Sequence, residues 1–143
     1  MVKVSGARRG IEVGVFTGYS ALSLAKGLPA DGKLIALDIS EKFVNIGKPF
    51  WKEAGVADKI DVRIGPALDS LDELLDQQEN HSSFDFSYID ADKLNYHNYV
   101  ERLLPLLKPN GFIMMDNTLW KGRVADAELR KNDETTAALH NLV

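Results

Sequence analysis

The segment GIEVGVFTGYSALSLAKGL, Gly10 to Leu28, decides the fold. Its opening run, Gly10–Val15, is rich in β-branched residues and reads as a strand. Gly14 and Gly18 then punctuate the chain. From Gly18 to Leu28 the spacing changes, and Leu22, Ala25 and Leu28 fall on one helical side. A strand, a glycine turn and a helix make the first half of a βαβ unit. The alternation continues along the sequence. Further β-rich runs lie at Lys33–Ile39, Ile60–Ile64, Phe84–Ile89 and Gly111–Met115. Helical segments lie at Glu41–Ala54, Pro66–Gln77, Leu94–Leu107 and, more weakly, Asp133–Leu142. Glu41–Ala54 groups Phe43, Ile46 and Phe50, while Gly47 and Pro49 predict a bend or break. Pro66 suits a first helical turn, and Leu68, Leu71 and Leu75 follow it. Tyr96, Val100, Leu103 and Leu107 mark the fourth helix. Pro29-Ala30-Asp31-Gly32, Ala54-Gly55 and Pro109-Asn110-Gly111 read as turns. The pattern predicts one α/β domain over residues 1–143, doubly wound around a mostly parallel sheet of five strands.

Composition narrows the function. The 143 residues carry a formal net charge of −4, which disfavours nucleic acid as a partner because phosphate binding calls for a basic face. Cysteine is absent, so disulfides, thiolate metal sites and thiol nucleophiles are excluded, and the cytoplasm is the expected compartment. No apolar run reaches the roughly 18 residues that would span a bilayer, so no membrane partner is expected. The basic start MVKVSGARRG lacks the apolar centre of a signal peptide.

In doubly wound sheets, ligands sit beyond the carboxyl ends of the strands, near the switch in strand order. The residues that close each run therefore carry the functional reading. The first run ends in EVGVFTGYS, Glu12 to Ser20. Its glycines permit close approach of a ligand to the backbone, or serve only a tight turn. Gly14-Val15-Phe16-Thr17-Gly18 is not the dinucleotide fingerprint G-x-G-x-x-G, and Glu12 would repel a pyrophosphate. A ligand with positive charge suits it better, which disfavours a nicotinamide dehydrogenase. The second run reaches Asp38, twenty residues past Gly18. A carboxylate there can accept from both hydroxyls of a ribose, or cap the next helix, a role open equally to Ser40. The third run ends in Gly65-Pro66-Ala67, small enough to admit a flat base. The fourth ends in Asp90-Ala91-Asp92-Lys93 and the fifth in Asp116-Asn117. If these strands are neighbours, Asp90, Asp116 and Asn117 converge. Two carboxylates and an amide are hard oxygen donors suited to Mg²⁺.

The motifs EVGVFTGYS, LDIS, IGPALDSLDELL, FDFSYIDADKLNY and GFIMMDNTLWKGRV, in order from about Ile11 to Asp126, resemble the cation-dependent O-methyltransferases, the family of the caffeoyl-CoA and catechol enzymes. The resemblance implies a Rossmann-like methyltransferase sheet with S-adenosylmethionine as donor and a divalent cation, usually Mg²⁺. It implies that Glu12, Gly14, Val15 and Ser20 line the methionine part of the donor. Asp38 would hold the ribose, with Ala67 and Asp92 completing that site. Asp90, Asp116 and Asn117 would bind the metal, and Asp90 and Lys93 would be the catalytic residues, Lys93 as base if desolvation lowers its pKa; the alternative for Lys93 is a surface lysine paired with Asp92. The implied acceptor is a catechol-like or other phenolic hydroxyl. A non-catalytic nucleoside-binding or assembly subunit is the alternative.

The family's helical N-terminal region, which often forms a dimer surface, and its last two strands have no counterpart here. The resemblance therefore implies a chain shortened at both ends, with FIMMD left as an apolar sheet edge and weak or no turnover alone. His81, His97 and His140 show no ligand spacing. Trp51 reads as helix packing and Tyr19 as packing beneath the glycine loop. Trp120 reads as a wall of the acceptor pocket or as loop packing.

Overall fold

The computed structural model describes residues 1–142. Five parallel strands form one sheet: β1 (Arg9–Val13), β2 (Lys33–Asp38), β3 (Ile60–Ile64), β4 (Phe84–Ile89) and β5 (Leu107–Met115). Their order is β3-β2-β1-β4-β5, so the switch in direction falls between β1 and β4 and β5 neighbours β4. The helices are α1 (Val2–Ser5), α2 (Tyr19–Gly27), α3 (Glu41–Glu53), α4 (Ala67–Leu75), α5 (Tyr96–Leu106), α6 (Ala127–Asn132) and α7 (Glu134–His140).

Apolar cores cover both faces of the sheet, which is why the central strands read as continuous apolar runs. Ile11, Val13, Leu37 and Ile89 pack against Leu71, Leu74, Leu103 and Leu139 on one side. Leu34, Ala36 and Phe86 pack against Ala21, Ala25, Val44 and Trp51 on the other. At the amino end of the sheet, Asp85 Oδ2 accepts from the backbone N–H groups of Arg8 and Arg9, each at 2.8 Å, and Lys108 donates to Oδ1. One carboxylate thus joins the entries to β1, β4 and β5.

Several boundaries differ from expectation. β1 ends at Val13 rather than Val15 because Gly14 turns to φ 91°. The Pro109-Asn110-Gly111 signal lies inside β5. Pairing jumps from Phe84–Leu107 to Phe86–Phe112, and Asn110 takes a left-handed φ of 70°, so the turn residues form a bulge. α3 runs unbroken through Gly47 and Pro49, and its faces are reversed. Val44, Gly47 and Trp51 are buried, whereas Phe43, Ile46 and Phe50 are exposed. The cause is backbone proximity: a Cβ on Gly47 would lie 2.6 Å from the Thr17 carbonyl oxygen. The helix from Leu94 instead starts with a 3₁₀ turn, Lys93–Asn95, and buries Tyr96, Tyr99, Leu103 and Leu106. Leu107 already belongs to β5. α4 begins at Ala67, with Pro66 just outside its first turn. α1, α6 and the 3₁₀ turn Trp120–Ala125 have no counterpart in the sequence reading.

Candidate functional site

The glycine loop is shaped by what packs behind it. A Cβ on Gly14 would lie 2.1 Å from the Asp90 carbonyl oxygen, so glycine lets the ends of β1 and β4 meet. Gly18, at φ 81°, lies against the Trp51 indole, whose Nε1 donates to the Gly18 carbonyl at 2.9 Å. Trp51 is therefore packing, as its place in α3 predicts, and also a brace for the loop. Tyr19 is not beneath the loop. It is 80% exposed, because α2 directs Ala21 and Ala25 into the core instead.

Asp38 closes β2. Its Oδ2 accepts from the N–H groups of Val15 and Phe16, each at 2.8 Å, and Oδ1 accepts from Ser40 N–H at 2.7 Å. The carboxylate ties the glycine loop to β2. The residue in the N-cap position of α3 is Ser40, whose side chain makes no capping bond.

Glu12 is the penultimate residue of β1, paired with Ala36 and Tyr88, and is fully buried. Neither carboxyl oxygen has a hydrogen-bond partner of good geometry among the described residues. Burial raises its pKa to about 8; the nearby Ser20 hydroxyl opposes the rise and the charges of Asp38 and Asp90 add to it. An enclosed carboxyl without a partner is costly and fits a cationic ligand group that the chain does not supply.

Two cavities flank Gly14 and Asp90. One, of about 510 Å³, is bounded by Gly14, Val15, Ser20, Tyr88, Asp90 and Asp116. The other, of about 520 Å³, is bounded by Gly14, Asp38, Ala67, Asp90, Asp92 and Tyr99. Most of the predicted site residues thus line two adjoining cavities, while Lys93 and the buried Glu12 line neither. Asn117 borders neither cavity. It lines a third, of about 500 Å³, reached through Asp116 and walled by Trp120. Trp120 also packs against the core, with its indole nitrogen unpartnered.

Ile89 and Met115 are paired, and Asp116 N–H donates to the Ile89 carbonyl at 3.0 Å. Asp90 and Asp116 therefore leave adjacent strand ends, as expected. Asp116 Oδ2 accepts from the Tyr88 hydroxyl at 3.1 Å, and Oδ1 accepts from both the backbone and side-chain N–H of Asn117. Asp90 Oδ1 accepts from Lys93 Nζ at 2.9 Å, an ammonium already drawn to this carboxylate. No group of three or more His, Cys, Asp or Glu suited to a metal occurs among the described residues. Two carboxylates and one amide nevertheless fit a hard divalent cation that keeps water or substrate in its other positions.

Lys93 departs from expectation. Desolvation alone would lower its pKa, but hydrogen bonds to Tyr96 and Asp90 outweigh it and the net shift is upward. In this arrangement it is an ammonium. Asp92 accepts from the Tyr99 hydroxyl and from Asn95 Nδ2. Burial, aided by that bond, raises the pKa of Tyr99; burial and Asp116 do the same for Tyr88.

These tyrosines, with Tyr96, are site residues that the sequence reading does not single out. The available signals were a hydroxyl-bearing residue on an otherwise apolar strand and two tyrosines spaced i, i+3 at the start of a helix. His81, His97 and His140 are exposed. No helix among the described residues is long and apolar enough to cross a membrane.

A family model described as O-methyltransferase matches residues 1–142. Caffeoyl-CoA O-methyltransferase 1 of Zea mays is 52% identical over 134 residues, covering 92% of this chain and 52% of that protein. Caffeoyl-CoA O-methyltransferase of Pinus taeda is likewise 52% identical over 134 residues, with 92% and 52% covered. The chain spans about half the length of these curated relatives. Among solved structures, the O-methyltransferase TomG of Streptomyces achromogenes, in complex with SAM, superposes with a TM-score of 0.89 at 31% identity, covering 99% of this chain and 61% of that one. An O-methyltransferase from Bacillus cereus, in complex with SAH, gives 0.88 at 35%, with 99% and 62% covered.

Proposed function

Since the chain belongs to the O-methyltransferase family, we propose that it carries the donor and cation sites of a metal-dependent enzyme. That enzyme moves a methyl group from S-adenosylmethionine to a catechol-like or other phenolic hydroxyl. The observation that carries this reading is the buried Glu12 carboxyl, without a hydrogen-bond partner of good geometry, two residues before Gly14, which lines two cavities edged with carboxylates.

Glu12 offers charge complementarity to the amino acid part of the donor, and Gly14, Val15 and Ser20 line that part. Asp38 is assigned to the ribose, with Ala67 and Asp92 beside the base and sugar. Asp90, Asp116 and Asn117 would hold the divalent cation, taken as Mg²⁺. When bound, such an ion lowers the pKa of a coordinated phenol, whose ordinary value is about 10.

The phenolate oxygen forms its bond to the donor methyl carbon as the carbon–sulfur bond breaks. The electron pair stays on sulfur, leaving a neutral thioether. The chain's main contribution is to hold the two partners at attack distance and in line. Lys93 is assigned to accept the hydroxyl proton. The role requires it to lose the Asp90 or Tyr96 hydrogen bond that now keeps it protonated. The cysteine-free composition supports a cytoplasmic enzyme.

Calorimetry with S-adenosylmethionine, with and without Mg²⁺, followed by a catechol methylation assay, tests the reading. Donor binding with Mg²⁺-dependent product, abolished in Asp116→Ala with the fold intact, is the expected result. Donor binding without methylated product would instead identify a nucleoside-binding subunit.

A further inference from the structure

Tyr96 opens α5 with its ring fully enclosed. Its hydroxyl lies 3.2 Å from the Ile89 carbonyl oxygen and 3.1 Å from that of Asp116. It also accepts from Lys93 Nζ, the ammonium that reaches Asp90. Ile89 ends β4, and Asp116 directly follows β5. The last backbone rung between these strands is Asp116 N–H to the Ile89 carbonyl. At this rung a single buried hydroxyl shares its proton between the two strand ends and anchors the cation beside Asp90.

The hydroxyl's hydrogen-bonding capacity is used within the protein, so it organises the site rather than contacting a ligand. Phenylalanine would fill the same core space, and the packing of α5 does not call for the oxygen. What the oxygen adds is geometric: it fixes the separation of the segments that bear the two carboxylates.

We propose that Tyr96 is a positioning residue for the divalent cation, its hydroxyl setting the distance between the Asp90 and Asp116 strand ends. The inference rests on the reading of Asp90, Asp116 and Asn117 as the cation's ligands. Partners that orient ligands from behind typically change metal affinity by about 10–100-fold when removed.

The test is Mn²⁺ affinity of the whole chain, measured by electron paramagnetic resonance, together with S-adenosylmethionine affinity and the thermal midpoint. Tyr96→Phe should weaken Mn²⁺ binding about tenfold while donor affinity stays at the wild-type value. Phe84→Leu loosens the same core cluster at the opposite, amino end of β4 and should leave Mn²⁺ affinity unchanged. Equal Mn²⁺ affinity in wild type and Tyr96→Phe overturns the assignment. So does an equal loss in Phe84→Leu, which would mean general loosening.

A second measurement needs no variant. In wild-type protein carrying ¹³C at tyrosine Cζ, the Tyr96 resonance should move on saturation with Mg²⁺, and an unmoved resonance also overturns the assignment. Absence of Mn²⁺ binding in the wild type would defeat the underlying reading of the three ligands. Intact wild-type binding with an unaffected Tyr96→Phe defeats only the role given to Tyr96.

Discussion

Burial raises the Glu12 pKa to about 8, so the ligand-free protein holds this carboxyl mostly protonated at neutral pH. The sign of its linkage follows. Above the unfolded value of 4.5 the unfolded chain releases this proton, while the folded chain keeps it until about 8. Rising pH therefore favours the unfolded state within that window, by roughly 1.4 kcal/mol per pH unit from this group. Glu12→Gln should flatten this part of the stability–pH curve in urea titrations of the ligand-free protein; an unchanged slope would contradict the assignment. The same group predicts a proton balance for ligand binding. A ligand ammonium placed beside Glu12 favours the carboxylate, so S-adenosylmethionine binding near pH 7 should release a proton. Calorimetry in buffers of different ionisation enthalpy reads that proton directly, and Glu12→Gln should abolish the release.

α3 shows what a helix in this fold must do for the loop it supports. Gly47 stands 2.6 Å, by its absent Cβ, from the Thr17 carbonyl, and Trp51 braces Gly18 one turn later. Gly47→Ala gains about 1 kcal/mol of helix propensity but forces a methyl group against backbone, an overpacking that costs about 1–3 kcal/mol. A net loss of stability is expected in urea melts, together with weaker donor binding because the displaced atoms belong to the glycine loop. Unchanged donor affinity would show that α3 does not set the loop's position.

The same helix marks how far the sequence was legible. The three central strands were readable because both faces are buried and their apolar runs stand out. The half-exposed edge strands were readable because of their β-branched and apolar residues. The strand-end carboxylates were readable because a doubly wound sheet brings those ends together. The buried face of α3 was not, since hydrophobic spacing follows large side chains and the contact is made by a glycine. The β5 bulge resembled a turn because both use Pro, Asn and Gly. The tyrosine hydroxyls were missed because apolar spacing registers their rings and is silent on where their oxygens lead.

Over the whole molecule, the topology gathers Glu12, Asp38, Asp90, Asp92 and Asp116 around the carboxyl ends of the central and β5 strands. Among the described residues, the one ion pair any of them makes is that of Asp90 with Lys93. The four aspartates therefore concentrate negative charge where a sulfonium and a divalent cation are proposed to bind, and Glu12, mostly protonated without a ligand, adds to it once a bound cation favours its carboxylate. Such a field attracts cationic ligands and is screened by salt over a length of about 10 Å at 0.1 M. Its components differ in exposure: Glu12 is fully buried, whereas the Asp90 side chain is 42% exposed. Added salt should thus weaken Mn²⁺ binding most, S-adenosylmethionine binding less, and the binding of uncharged adenosine least. Titrations of all three ligands across a series of NaCl concentrations check the ranking. An adenosine affinity that fell as steeply as that for Mn²⁺ would show that salt acts on the fold rather than on the field, and would remove the electrostatic argument for a cationic donor.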